Sequence, residues 1–216
     1  VLTGFLAGFI STNALSYSFA RQSKNFRKVQ LPFMLGIVIA VTGLFVRVVF
    51  EVGVVNNDVL PKLFIPMLAM GVAGALVVLR IFLKHEEVPA AVQRKAVEMK
   101  SPFTLGPAIN FALIFAFVLL MTKFMATSVG ESALHVVSLL TGFLDMDSIA
   151  ISNARLADKG IISDSTAAIS ITLAAVSNTL AKPAIFFFFG NRVVAKRLFL
   201  HLLPVMLAGV VATFFI

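Results

Sequence analysis

Apolar runs of about 20 residues, the length that carries a helix across a bilayer core, recur along the chain and are separated by short polar turns. They cover residues 1–20, 31–55, 63–83, 105–129, 132–152, 166–189 and 198–216. Basic clusters close the first run (Arg21, Lys24, Arg27, Lys28) and open the last (Arg192, Lys196, Arg197). Asn56, Asn57 and Asp58 end the second run, and a polar stretch from Lys84 to Ser101 follows the third and reads as an interfacial loop. No segment shows the ten-residue alternation of a membrane barrel strand. The pattern predicts an all-α fold, a polytopic helical membrane bundle of six to seven transmembrane helices, as a single transmembrane domain over residues 1–216.

Composition agrees. Hydrophobic residues make up 59 % of the 216 residues and charged residues 13 %, about half the charged share of a soluble domain; mean hydropathy is +1.00. Cysteine is absent, which excludes disulfides, thiolate nucleophiles and Cys-ligated metal. The net charge of +8 sits in short runs between apolar stretches, as expected for loops facing cytoplasm and anionic lipid, with no nucleic-acid partner. The chain starts inside an apolar run without Met and reads as a domain cut from a longer protein.

Basic loops set the orientation. The clusters at 21–28 and 80–100 are two spans apart and both fit the cytoplasm, which places the 56–62 turn outside. The cluster at 192–197 conflicts if every intervening segment crosses. It becomes cytoplasmic only if one segment between 105 and 189 turns back. The candidate is the run cut by Asp145 and Asp147, as a broken or re-entrant helix near residue 145. Seven plain spans with one loop violating the charge rule are the alternative.

Ionisable groups inside apolar runs cost on the order of 2.5–3.5 kcal/mol on insertion scales, so they face partners or a wet cavity. Arg47, Glu51, Lys123, Asp145, Asp147 and Lys182 form a balanced set of three positive and three negative groups. Arg47 and Glu51 stand at i and i+4 and share a face; Lys123 snorkels toward an interface. Asp145 and Asp147 point about 200° apart on a regular helix, so a shared site requires an unwound turn, which would offer carboxylates and carbonyls to a hard cation or a proton. On a regular helix the same aspartates would instead meet Arg47 and Lys182 on separate neighbours. Asn178 and Lys182 share one helix face, Asn13 lies in the polar run Ser11 to Ser16, and Asn110 adds an amide to the fourth run. His135 and His201 stand singly near run ends and read as interfacial packing. Gly4 with Gly8 and Gly71 with Gly74 supply small faces for helix packing. Leu-Thr-Gly-Phe-Leu occurs at 2–6 and again at 140–144. Hydrolase, P-loop, dinucleotide and metalloprotease motifs are missing. No catalytic residue and no cofactor is expected, and the polar groups suit binding or conduction.

Several stretches together resemble a known membrane family, the domain of unknown function found C-terminal to MgtC/SapB-type membrane domains. The segment from Gly8 to Ser23 resembles its opening small-polar helix, ending in Ala20 and Arg21. Residues 101–111 resemble its Pro-x-x-Leu-x-x-Ala-x-x-Phe helix entry. Gly142-Phe-Leu-Asp-Met-Asp147 is similar to its Gly-Leu-x-Asp-x-Asp motif, Ala175 to Lys182 to its Ala-x-x-Asn-x-x-x-Lys motif, and Arg47 to a basic residue of its second helix. The family's Ser/Thr-rich run reads Ser-Thr-Asn-Ala here. The resemblance implies an N-terminal MgtC-like domain in the same protein, of which this chain would be the C-terminal part.

These readings lead to an integral, multi-pass module of a prokaryotic cell (plasma) membrane that moves a small inorganic cation or a proton. Asp145, Asp147, Asn178 and Lys182 would line its polar centre, Arg47 and Glu51 would balance charge, and Asn13 and Asn110 would add amides. Expected partners are the lipid bilayer, a small cation, the MgtC-like domain and a second copy of the chain. A regulatory or scaffolding domain that binds another membrane protein is the alternative.

Overall fold

The computed structural model describes residues 12–25, 30–84, 120 and 131–216. Among them it forms seven helices and no strand: α1 Thr12–Asn25, α2 Gln30–Val55, α3 Leu60–Lys84, α4 Glu131–Gly142, α5 Met146–Asp158, α6 Asp164–Phe189 and α7 Arg192–Ala212, followed by a 3₁₀ turn, Thr213–Phe215. Four helical stretches are long and apolar enough to cross a membrane: Gln30–Val55, Leu60–Leu83, Asp164–Phe189 and Arg192–Phe215. The first and third have 61 % of their apolar stretch buried, the second and fourth 33 %, so α2 and α6 are the enclosed helices and α3 and α7 the peripheral ones. The expected run at 105–129, Asn110, Lys123 and the Gly4/Gly8 pair lie outside the described residues.

Two helices run through basic clusters that hydropathy alone places in loops. α1 continues past Ala20 to Asn25, and α7 starts at Arg192, ahead of Leu198. Arg and Lys are good helix formers whose stems lie along apolar surface. Asn191 supplies the start signal for α7, its Oδ1 accepting the Val193 N–H at 2.8 Å, an N-cap worth about 1 kcal/mol over alanine. Between α2 and α3, Asn56 Oδ1 accepts the Asp58 N–H at 2.8 Å, an Asx turn.

The fifth apolar run is broken. Thr141 O accepts the N–H groups of both Leu144 and Asp145 at 2.9 Å, ending α4, and Asp145 is extended (φ −151°, ψ 120°) before α5 begins. Ser138 Oγ on α4 lies 3.1 Å from Asn153 Nδ2 on α5, 15 positions away. A continuous helix would separate those residues by about 22 Å, so the chain doubles back as a helical hairpin. α4 runs along α6 in the same direction: His135 Nδ1 is 2.9 Å from Ser170 Oγ, Ser177 Oγ donates to Leu139 O, and Asn178 Nδ2 donates to Gly142 O at 2.8 Å. The hairpin tip therefore stops beside the middle of α6.

Gly142 permits this approach, since a Cβ there would sit 2.5 Å from Ala174 Cα. At the other end of α5, Gly160 has φ +65°, Ile161 N–H reaches Leu156 O at 3.0 Å and Gly160 N–H reaches Ala157 O at 2.8 Å. These are the two bonds of a Schellman stop, for which glycine is the favoured residue. Ser163 then receives the Thr166 N–H at 3.1 Å and starts α6.

The chain divides into two compact units: one of Val1–Arg47, Leu68–Glu98 and Thr179–Ala208, the other of Val48–Met67, Met99–Asn178 and Gly209–Ile216. Described residues of the first unit carry nine basic side chains and no acidic one. Those of the second carry seven acidic and three basic. Inside the first unit, the turn between α6 and α7 sits on the C-terminal part of α1. Asn191 N–H donates to Ser23 Oγ at 3.1 Å, Gly190 abuts Ala20, and Tyr17 stacks edge-on against Phe189 at 5.2 Å. Arg192 thus lies at the same end of its unit as Arg21 and Lys24. Inside the second unit, Asn56 Nδ2 reaches Ala154 O at 3.4 Å, tying the α2–α3 turn to the C-terminal half of α5.

Candidate functional site

The hairpin tip is assembled from the segment Gly142-Phe-Leu-Asp-Met-Asp-Ser148 and one face of α6. Each α-helix end leaves backbone groups unpaired, and in an apolar setting each must find a partner. α6 supplies partners for α4, Ser177 to Leu139 O and Asn178 to Gly142 O. Asp145 supplies one for α5: its Oδ2 accepts the Ser148 N–H at 3.1 Å and also the Ser148 hydroxyl. Its Oδ1 takes no hydrogen bond from the described residues. Asp147 stands half-buried in the first turn of α5. Both carboxylates are therefore at a helix N-terminus, where the backbone dipoles favour negative charge. Such a tip holds a fixed carboxylate with one oxygen unused, at the meeting point of two half-length helices, and can coordinate a small cation or carry a proton.

Asn153, in the hairpin interior, is fully buried; its Nδ2 is used by Ser138 while its Oδ1 is buried without a hydrogen-bond partner. Ser148, Ser152 and Ser170 are likewise buried. Among the described residues no three His, Asp or Glu side chains converge on a point.

Lys182 belongs to the first unit, while Asp145, Asp147 and Asn178 belong to the second. Its side chain is fully buried and its Nζ donates to Asn13 Oδ1 on α1. Among the described residues Asp145 bonds only Ser148. Pro183 follows directly and has no N–H to give Thr179 O, a local interruption of the α6 ladder. Arg47 and Glu51 are half-buried one turn apart on α2, with Arg47 Nε and Glu51 Oε2 beneath the surface. Asn110 is not among the described residues. The fold thus brings Asn178 to the hairpin and Asn13 to Lys182.

Hydropathy passed over Ser138, Ser148, Asn153 and Ser170. The signal for Ser170 is spacing: Thr166, Ser170, Ala174, Ser177 and Ala181 recur every three or four residues on α6, the small-residue stripe that admits a close neighbour.

A protein of Aquifex aeolicus (strain VF5), described as an "Uncharacterized protein", is 29 % identical over 196 residues, covering 89 % of this chain and 83 % of its own. No solved structure matches. The family model described as "Domain of unknown function (DUF4010)" matches residues 1–190, and the chain belongs to that family.

Proposed function

We propose that the protein is a membrane transport or permeation module for a small inorganic cation or a proton, with Asp145 at the hairpin tip as the ligand or carrier. The observation that carries this reading is the hairpin α4–α5, which stops midway along α6 and holds at its turn a carboxylate with one oxygen that takes no hydrogen bond from the described residues. Paired half-helices ending inside a membrane protein are a recurrent way to build an ion site. Asn178 keeps the tip closed on α6, and Asp147 adds a second negative charge.

The test separates charge from architecture. Asn is as good an N-cap as Asp, so Asp145→Asn keeps α5 started while removing the charge. Purified protein in liposomes should show cation or proton flux, and Asp145→Asn should abolish it while shifting the melting temperature by no more than a few degrees. Wild-type protein that is folded yet passes no tested cation or proton, or Asp145→Asn with undiminished flux, overturns the proposal.

The bond from Lys182 to Asn13 favours a second reading, a regulatory or scaffolding domain whose buried polar groups lock helices together for a partner. In that case neither wild type nor Asp145→Asn carries flux. The resemblance to the MgtC-associated module supports an N-terminal MgtC-like partner domain, and the excess of basic residues in the first unit supports placing that unit's charged end toward the cytoplasm of a prokaryotic cell.

A further inference from the structure

The first unit contains a groove of about 520 Å³ lined by α2, α3 and α7, within the range of small-ligand sites. Its lining is graded. Arg80 on α3 and Arg197 with His201 on α7 stand within a few turns of helix ends, whereas Met34, Val77 and Pro204 form apolar wall. His201 is oriented by its own helix: Nδ1 lies 2.7 Å from Arg197 O, an acceptor, so Nδ1 carries the hydrogen and Nε2 is the ring nitrogen left for a ligand.

The two arginines differ from their neighbours. Arg21 lies over the Tyr17 ring at 5.9 Å and Arg192 over the Phe187 ring at 5.1 Å. Arg80 and Arg197 are exposed, and neither guanidinium has a hydrogen bond, acid or ring partner among the described residues. The described residues of this unit hold no acidic side chain that could neutralise them. A guanidinium fork matches phosphate geometry, and the wall beneath it is hydrocarbon.

We propose that this groove is a binding site for an anionic phospholipid, whose phosphate meets Arg80 and Arg197 while an acyl chain lies along Met34, Val77 and Pro204. The fit is one of complementary charge and polarity along one axis. A soluble anion would leave the apolar wall uncovered, and a neutral lipid would leave the two guanidinium groups without a net negative partner. Basic pockets between transmembrane helices on the cytoplasmic side bind such headgroups.

Native mass spectrometry of the full chain in neutral detergent, titrated separately with phosphatidylglycerol, phosphatidylcholine and inorganic phosphate, tests this. Phosphatidylglycerol should bind more tightly than phosphatidylcholine. The double variant Arg80→Gln/Arg197→Gln should lose roughly 30-fold of that affinity, from about 1 kcal/mol per basic residue at the membrane surface. Lys196→Gln, on the same helix but outside the groove lining, should bind as wild type. Leu200→Trp, which narrows the groove with its charges intact, should weaken binding and keeps the test open if the double variant fails to fold. Equal affinity for the two lipids, equal loss in Lys196→Gln, unaltered binding in Leu200→Trp, or inorganic phosphate binding as tightly as phosphatidylglycerol would each overturn the site.

Discussion

Gly142 ends α4 against Ala174, and its missing side chain is what lets the two helices touch. A Cβ at 142 would meet Ala174 Cα at 2.5 Å, its Cβ at 2.7 Å and its carbonyl oxygen at 2.7 Å. Two of those three atoms are backbone, which cannot rotate away. Gly142→Ala should therefore destabilise the protein by roughly 1–3 kcal/mol, the usual cost of overpacking, measured as a lower midpoint of thermal or denaturant unfolding. Adding Ala174→Gly should leave most of that loss in place, because the Cα and carbonyl remain; full rescue by the double variant would show that the contact is only between side chains. The same neighbourhood gives Asp145 two separable properties, a cap that Asn reproduces and a charge that it does not. Lys182 is fully buried, and a buried ammonium needs acceptor oxygens, of which the amide of Asn13 provides one.

At the scale of elements, hydropathy located the long helices because their length and apolarity are set by the bilayer itself. The starts and stops it misplaced, at Asn25 and Arg192, are where long basic side chains extend a helix past its apolar part. The hairpin was legible only as an alternative. Two aspartates two apart, together with an unbalanced charge pattern, argued for a break. The direction of the chain after the break depends on contacts of Ser138, Ser177 and Asn178 with residues 15 to 38 positions away. These side chains carry no strong hydropathy signal. A distance measurement decides the matter. Spin labels at Val136 and Arg155, both exposed, would stand about 28 Å apart along one straight helix. Folded back as observed, they should give a pulsed EPR distance well below that value; a distribution centred near 28 Å would remove the hairpin and with it the proposed ion site.

For the whole molecule, the charge distribution links fold to orientation. Nine basic and no acidic residues among the described part of one unit, against three basic and seven acidic in the other, are the kind of imbalance that biases how a chain is oriented across a membrane. Of the candidate site, Asn178 and the break at Asp145 were legible in the sequence, because polar groups in an apolar run are conspicuous; the bond from Lys182 to Asn13 was not, because an acceptor 169 positions away leaves no spacing signal. The hairpin has a consequence for topology. If α4 and α5 turn back together, Lys24 and Arg192 face one side of the membrane, and Asn57 and Lys159, at the far ends of α2 and α6, face the other. All four side chains are exposed, and the natural chain has no cysteine. Single Cys variants at these positions can therefore be labelled with a membrane-impermeant thiol reagent in vesicles of known sidedness. Lys24→Cys and Arg192→Cys should react from the cytoplasmic face, and Asn57→Cys and Lys159→Cys from the opposite face. Labelling of position 192 from the same face as position 57 would mean that the segment around Asp145 crosses fully, and the half-helix ends on which the ion site depends would not meet inside the membrane.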